Sequence, residues 1–215
     1  LSGDSRVMIH EPYDSRDISK GLVGECELVK YIREQRHDFM NHIQVLWGFL
    51  QLNRVDKALK YISNINKRCE ILSQAFKLEN PALSLFLYTH IKQAYKWEVD
   101  VNLEVDVENI DGYASAKICG VIDFLGMLFN EVLLKTEKLK DKTIYIDLYI
   151  QDNTFYIVFS NDSSNYPEEE IQSYKTLNSE IYSAIEALKL HGAGVYYRSQ
   201  GNYVIFKVGI ELQEA

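Results

Sequence analysis

The chain of 215 residues has no block of basic residues, no cysteines at metal-ligand spacing and no apolar run long enough for a bilayer. Lysine and arginine number 23 against 31 acidic residues, a formal charge of −8, which argues against a nucleic-acid partner bound through its phosphates. The cysteines, Cys26, Cys69 and Cys119, are odd in number and scattered singly. They make neither a disulfide framework nor a zinc site and suit a reducing compartment. The most apolar stretch, "ALSLFLYTHI", falls well short of the roughly 18 residues of a membrane span, and Lys92 follows soon after it. The opening "LSGDSRVMIHEPYDSRD" has no signal-peptide core and reads as a flexible tail over residues 1–20. No repeat or low-complexity segment occurs. The expectation is a soluble, cytoplasmic chain with no membrane contact of its own, unless it is cut from a longer, anchored one.

What the sequence does contain is helical periodicity, then strands. From about Gly24 to Leu52 apolar residues recur at helical spacing through Leu28, Ile32, Phe39, Ile43, Leu46 and Leu50. A second run, Val55, Leu59, Ile62, Ile65, Cys69, Leu72 and Phe76, alternates steps of three and four. Only "NRVD" separates them, which predicts an antiparallel helical hairpin over residues 21–79. Two helices with such broad apolar faces leave surface uncovered, and a homodimer forming a four-helix bundle removes it; covering by the second domain is the alternative.

The rest, residues 80–215, reads as a separate α+β domain. Asn80-Pro81 opens a helix to about Trp97, "VDVNLEVDV" is a strand, and "SAKICGVIDFLGMLFNEVLLKTEKL" is a buried helix. "TIYIDLYIQDNTFYIVFSN" is a hairpin turning at Asp152-Asn153. Pro167 and three glutamates open a helix ending near Gly192, and "GVYYRSQGNYVIFKVGIEL" closes the chain as a second hairpin. Helices should lie on one face of a largely antiparallel, mixed sheet.

Within the first helix, "EQRHDFMNHIQVLWGF" places His37 roughly 130° from the centre of the apolar face, at about 100° per residue. Asn41 stacks one turn on, and Glu34 and Gln44 share that polar face. His42 falls at the seam, where a packed or hydrogen-bonded histidine is expected. The five-residue spacing of the two histidines, on different faces and without cysteine partners, does not suit zinc. An exposed helical histidine by itself usually does nothing.

The stretch "RHDFMNHIQVLWGFLQL", followed by a second helix and a mixed domain, resembles the sporulation initiation phosphotransferase B family. It is also similar to histidine kinases with an R-H-D-x-x-N motif. The resemblance spans about residues 25–212. It implies that His37 is a phosphoacceptor, taking a phosphoryl group from a response-regulator aspartate and passing it to another. Imidazole suits this work, being available in neutral form near pH 7 with a ring nitrogen able to attack phosphorus. By the same resemblance Arg36 lies near the partner's acidic pocket, Asp38 orients the ring and Asn41 hydrogen-bonds at the site. Mg²⁺ would come from the response regulator, so neither a cofactor nor a metal site of its own is expected.

The second domain resembles the GHKL-type ATP-binding domain of histidine kinases, with departures. In "LGMLFNEVL", Met127 replaces one expected asparagine and Glu131 the magnesium-binding one. In "NDSSN", Asn161 stands for an adenine-reading aspartate, and Ser163 and Asn165 for glycines that permit close backbone approach. "TLNSEI" lacks the glycine of a further box. The resemblance therefore implies a degenerate nucleotide site without autokinase activity.

Three functions compete. The leading one is a phosphorelay phosphotransferase acting through His37, in sporulation-type signalling. The second is the catalytic core of a sensor histidine kinase that autophosphorylates from ATP. The third is a dimeric scaffold that binds response-regulator receiver domains without phosphate passing through it.

Overall fold

The computed structural model describes residues 15–107, 110, 112–163 and 177–212. Two compact units divide the chain, Leu1–Ile65 and Asn66–Ala215.

The first unit holds α1 (Ser15–Gln51) and the opening turns of α2 (Val55–Ala75). Helix α1 starts earlier than its apolar pattern, so 15–20, expected as tail, are helical; residues 1–14 lie outside the described residues. Extending a formed helix costs little per residue, and even glycine adds only about 1 kcal/mol. Asn53, at φ 53°, takes the left-handed conformation that turns the chain. Around it Arg54 N–H donates to Phe49 O at 2.8 Å. The helices then fold back: Tyr61 on α2 meets His42 and Phe49 on α1, its ring 6.0 Å from that of Phe49.

The second unit begins inside α2, not at the expected boundary of 79/80. The reason lies in its last turns, where Ile71 and Ala75, with Leu78 beyond, belong to the core of this unit. Then follow α3 (Pro81–Lys96), β1 (Asp100–Val105), α4 (Gly112–Thr136), β2 (Thr143–Gln151), β3 (Thr154–Ser160), α5 (Ser179–Leu190), β4 (Ala193–Gln200) and β5 (Tyr203–Glu211). Asn80 caps α3 by accepting from Leu83 N–H at 2.8 Å, with Pro81 at the first helical position.

The strands form one mixed sheet in the order β1-β2-β3-β5-β4, with β1·β2 parallel and the other pairs antiparallel. Asp152 and Asn153 both adopt positive φ in the β2–β3 turn, as a tight two-residue hairpin demands. Burial alternates along β2 and becomes continuous toward the end of β3, and Ile144, Ile146, Phe155, Phe159, Phe206 and Val208 belong to the core. His90 of α3 is packed into this core between Phe86 and Phe129, and its Nδ1 lies 2.8 Å from Phe86 O. Burial lowers its pKa from the ordinary histidine value, partly opposed by that backbone hydrogen bond.

The expected opening of a helix at Pro167 lies outside the described residues; the helix that ends before Gly192 starts at Ser179. Asn178 holds extended backbone and accepts from Ile181 N–H at 2.8 Å, a cap that starts a helix rather than continuing one. Among the described residues no helix is long and apolar enough to cross a membrane.

Candidate functional site

His37 stands in mid-helix on α1 with its side chain 75% exposed. Asn41, one turn on, places Nδ2 3.1 Å from His37 Nδ1. In that rotamer the amide donates and the ring proton sits on Nε2. With the amide turned over, its oxygen accepts from Nδ1–H, and the lone pair is left on Nε2. Asp38 Oδ1, 4.0 Å from the same Nδ1, electrostatically favours the second arrangement. In both, Nδ1 is the nitrogen engaged by the helix, and Nε2 is the one presented to a reactant. Arg36 is exposed beside it.

The sequence-predicted residues thus lie together on one stretch of helix. His42 does not join them: its Nδ1 is 2.9 Å from Tyr61 Oη, across the hairpin, where the seam position put it.

The expected nucleotide region has a different character. Glu131 and Lys135, both mostly buried, sit one helical turn apart on α4 with Oε1 and Nζ 3.8 Å from each other. Lys135 Nζ also donates to Ser199 Oγ on β4 at 2.9 Å. An ammonium group therefore neutralises the carboxylate at the position that the resemblance gives to a magnesium-binding asparagine. Met127 packs against the core.

Asn161, 4% exposed, follows the end of β3. Its Oδ1 accepts from Val204 N–H at 2.8 Å, and its Nδ2 donates to Asn202 O at 2.9 Å. The side chain ties β3 to the β4–β5 turn. An open hollow of about 700 Å³ at this end of the sheet is lined by Asn161, Asp162, Ser163, Tyr145, Lys140 and Tyr203, among others. Ser163 is exposed, and Asn165 lies outside the described residues. Of "TLNSEI", Asn178 is spent on capping α5.

Lys135, Ser199 and the Asn161 clip went unrecognised in the sequence. The i, i+4 spacing of Glu131 and Lys135 was a usable signal for the first; the partners on β4 and β5 lie too far along the chain for any local pattern. Among the described residues no cluster of three or more His, Cys, Asp or Glu could hold a metal ion.

Comparison with known proteins agrees with the hairpin. Residues 25–78 match the family model of the alpha-helical domain of SpoOB-type sensor kinases. A probable C4-dicarboxylate sensor kinase of Halalkalibacterium halodurans is 24% identical over 169 residues, covering 77% of this chain and 32% of the relative. The sensor protein CitS of the same organism is 22% identical over 162 residues, covering 74% and 30%. The chain thus spans about a third of the length of these relatives. Among solved structures, the Acinetobacter baumannii histidine kinase AdeS aligns with a TM-score of 0.45 at 12% identity, covering 83% of this chain and 98% of that one. Histidine kinase ThkA in complex with response regulator TrrA aligns at 0.45 and 17% identity, covering 93% and 64%. The chain has a helical N-terminal region, similar over residues 25–78 to that of SpoOB-type sensor kinases, followed by a mixed-sheet domain.

Proposed function

We propose that this chain is a phosphotransferase of two-component signalling that carries phosphoryl groups between receiver-domain aspartates through His37, without drawing on ATP. The observation that carries the reading is an exposed His37 whose Nδ1 is held by Asn41, which leaves Nε2 as the nitrogen for a reactant.

In the forward step the Nε2 lone pair attacks the phosphorus of an aspartyl phosphate. The P–O bond to the partner's aspartate breaks, and the carboxylate leaves with the bonding pair. With the Asn41 amide turned so that its oxygen accepts the hydrogen bond from Nδ1–H, the imidazole gains positive charge while keeping that proton, and Asp38 offsets the charge. Reversal onto a second receiver regenerates neutral His37. Mg²⁺ belongs to the receiver's carboxylates, and Arg36 supplies local positive charge toward them.

Against ATP chemistry stand the engaged side chains of the second unit. Glu131 is neutralised by Lys135, and Asn161 is bonded on both of its polar atoms. These groups do not fit a nucleotide with its magnesium. A sensor-kinase catalytic core is the second reading, favoured by relatives named as a sensor kinase and a sensor protein, of whose length the matched residues span about a third. Calorimetric titration with ATP and Mg²⁺ separates the two: the phosphotransferase gives no saturable heat, the kinase core a micromolar constant.

The hairpin also supports a homodimer. Taking His37 as zero, His42 and Phe49, which meet Tyr61, point about 130° round α1 in one sense. The exposed Ile32, Phe39, Ile43 and Leu50 point about 140° round in the other. Two contact faces about 90° apart are what a corner helix of a four-helix bundle needs, and His37 then points away from the bundle axis. Val55, Leu59 and Ile62 form the matching uncovered face of α2. Cys69 is exposed as well, but Leu72, expected in the same seam, packs against the core of the second unit.

A further inference from the structure

The outward arc of α1 has two flanks, and they differ in chemistry. On one side of His37, Arg33, Arg36, Met40 and Trp47 cluster about 40–100° round the helix. All four are exposed, Trp47 at 62%. This strip lies between His37 and the uncovered apolar face of Phe39 and Leu50. On the other side, about 60–80° round, stand Glu34 and the exposed Val45.

From this asymmetry we infer that the receiver domain seats on the Arg33–Trp47 flank, with Trp47 as its apolar anchor. The inference rests on the proposed phosphotransfer through His37. The partner's reacting end carries a cluster of carboxylates and an anionic phosphoryl group. It meets two guanidinium groups on one flank and the Glu34 carboxylate on the other, so charge complementarity selects the first. In a chain of net charge −8, two arginines one turn apart are a local exception that steers such a partner. Tryptophan, with arginine, is the residue type that most often dominates an interface, and here an exposed indole lies within three helical turns of the phosphoacceptor. Met40, between Trp47 and the arginines, adapts its shape to the partner's surface.

The test uses the full chain and a phosphorylated receiver domain first found to label wild-type His37. Trp47→Ala is expected to slow labelling at limiting receiver at least tenfold, with little change at saturation. Arg33→Ala combined with Arg36→Ala should flatten the dependence of the association rate on salt. Val45→Ala, on the opposite flank, should leave transfer within twofold. Labelling that is unchanged in Trp47→Ala, or lost only in Val45→Ala, overturns the assignment. So does dissociation of the Trp47→Ala protein into monomers, since Trp47 would then be a contact between two copies. Label remaining in His37→Ala sinks the phosphotransfer reading itself, an outcome distinct from these.

Discussion

Asn41 Nδ2 lies 3.1 Å from His37 Nδ1, one helical turn away on the same exposed face. Because that contact fixes which nitrogen is free, Asn41→Ala should weaken transfer while leaving the helix intact. One hydrogen bond of about 0.5–1.5 kcal/mol corresponds to a rate loss of roughly two- to tenfold. Single-turnover labelling at saturating phospho-receiver measures it, and an unchanged rate would show the bond to be incidental.

The uncovered faces of α1 and α2 predict self-association. Burying a side chain such as Phe39, 62% exposed in the single chain, is worth about 1.5–3 kcal/mol, and the stripe repeats it over several turns. Sedimentation at micromolar concentration should give a dimer for the wild type and a monomer for Phe39→Glu. A wild-type monomer would mean that the apolar faces are covered some other way.

Asn161 is bonded as an amide, donor on one side and acceptor on the other. An aspartate there keeps the bond from Val204 N–H but sets a carboxylate against Asn202 O. Asn161→Asp should therefore cost about 1–3 kcal/mol and lower the melting temperature by several degrees without creating ATP affinity. Micromolar ATP binding by this variant would show that the site was one substitution from function.

His90 gives stability a pH dependence. Burial holds its folded-state pKa below the ordinary histidine value of 6.5, so on acidification the unfolded chain takes up the proton first. The contribution is complete above about pH 6.5 and declines as pH falls through and below that value. Denaturant midpoints from pH 7.5 to 5 should show a slope that a His90→Leu protein lacks; identical slopes in the two would assign it elsewhere.

Periodicity made the hairpin, the Asn80-Pro81 start and both strand hairpins legible, because each rests on contacts between near neighbours in sequence. The outward direction of His37 and the inward one of His42 followed from the same 3.6-residue repeat, and Tyr61 supplied the partner that the repeat required. Tertiary commitments were hidden. Leu72 read as bundle seam yet packs against the core of the second unit. Asn161 read as a stand-in for an adenine-reading aspartate, whereas its partners lie more than forty residues along the chain. Asn178 sets the start of α5 at Ser179, a capping choice made by one side chain that the helical pattern alone did not mark.

The most direct measurement is transfer of radiolabel from a phosphorylated receiver domain to this chain with no ATP present. Acid-labile, alkali-stable label should appear at His37, be absent in His37→Ala and persist in His42→Ala, and chase onto an unphosphorylated second receiver. Label retained by His37→Ala, or incorporated from ATP alone at His37, would contradict a phosphotransferase acting through this residue.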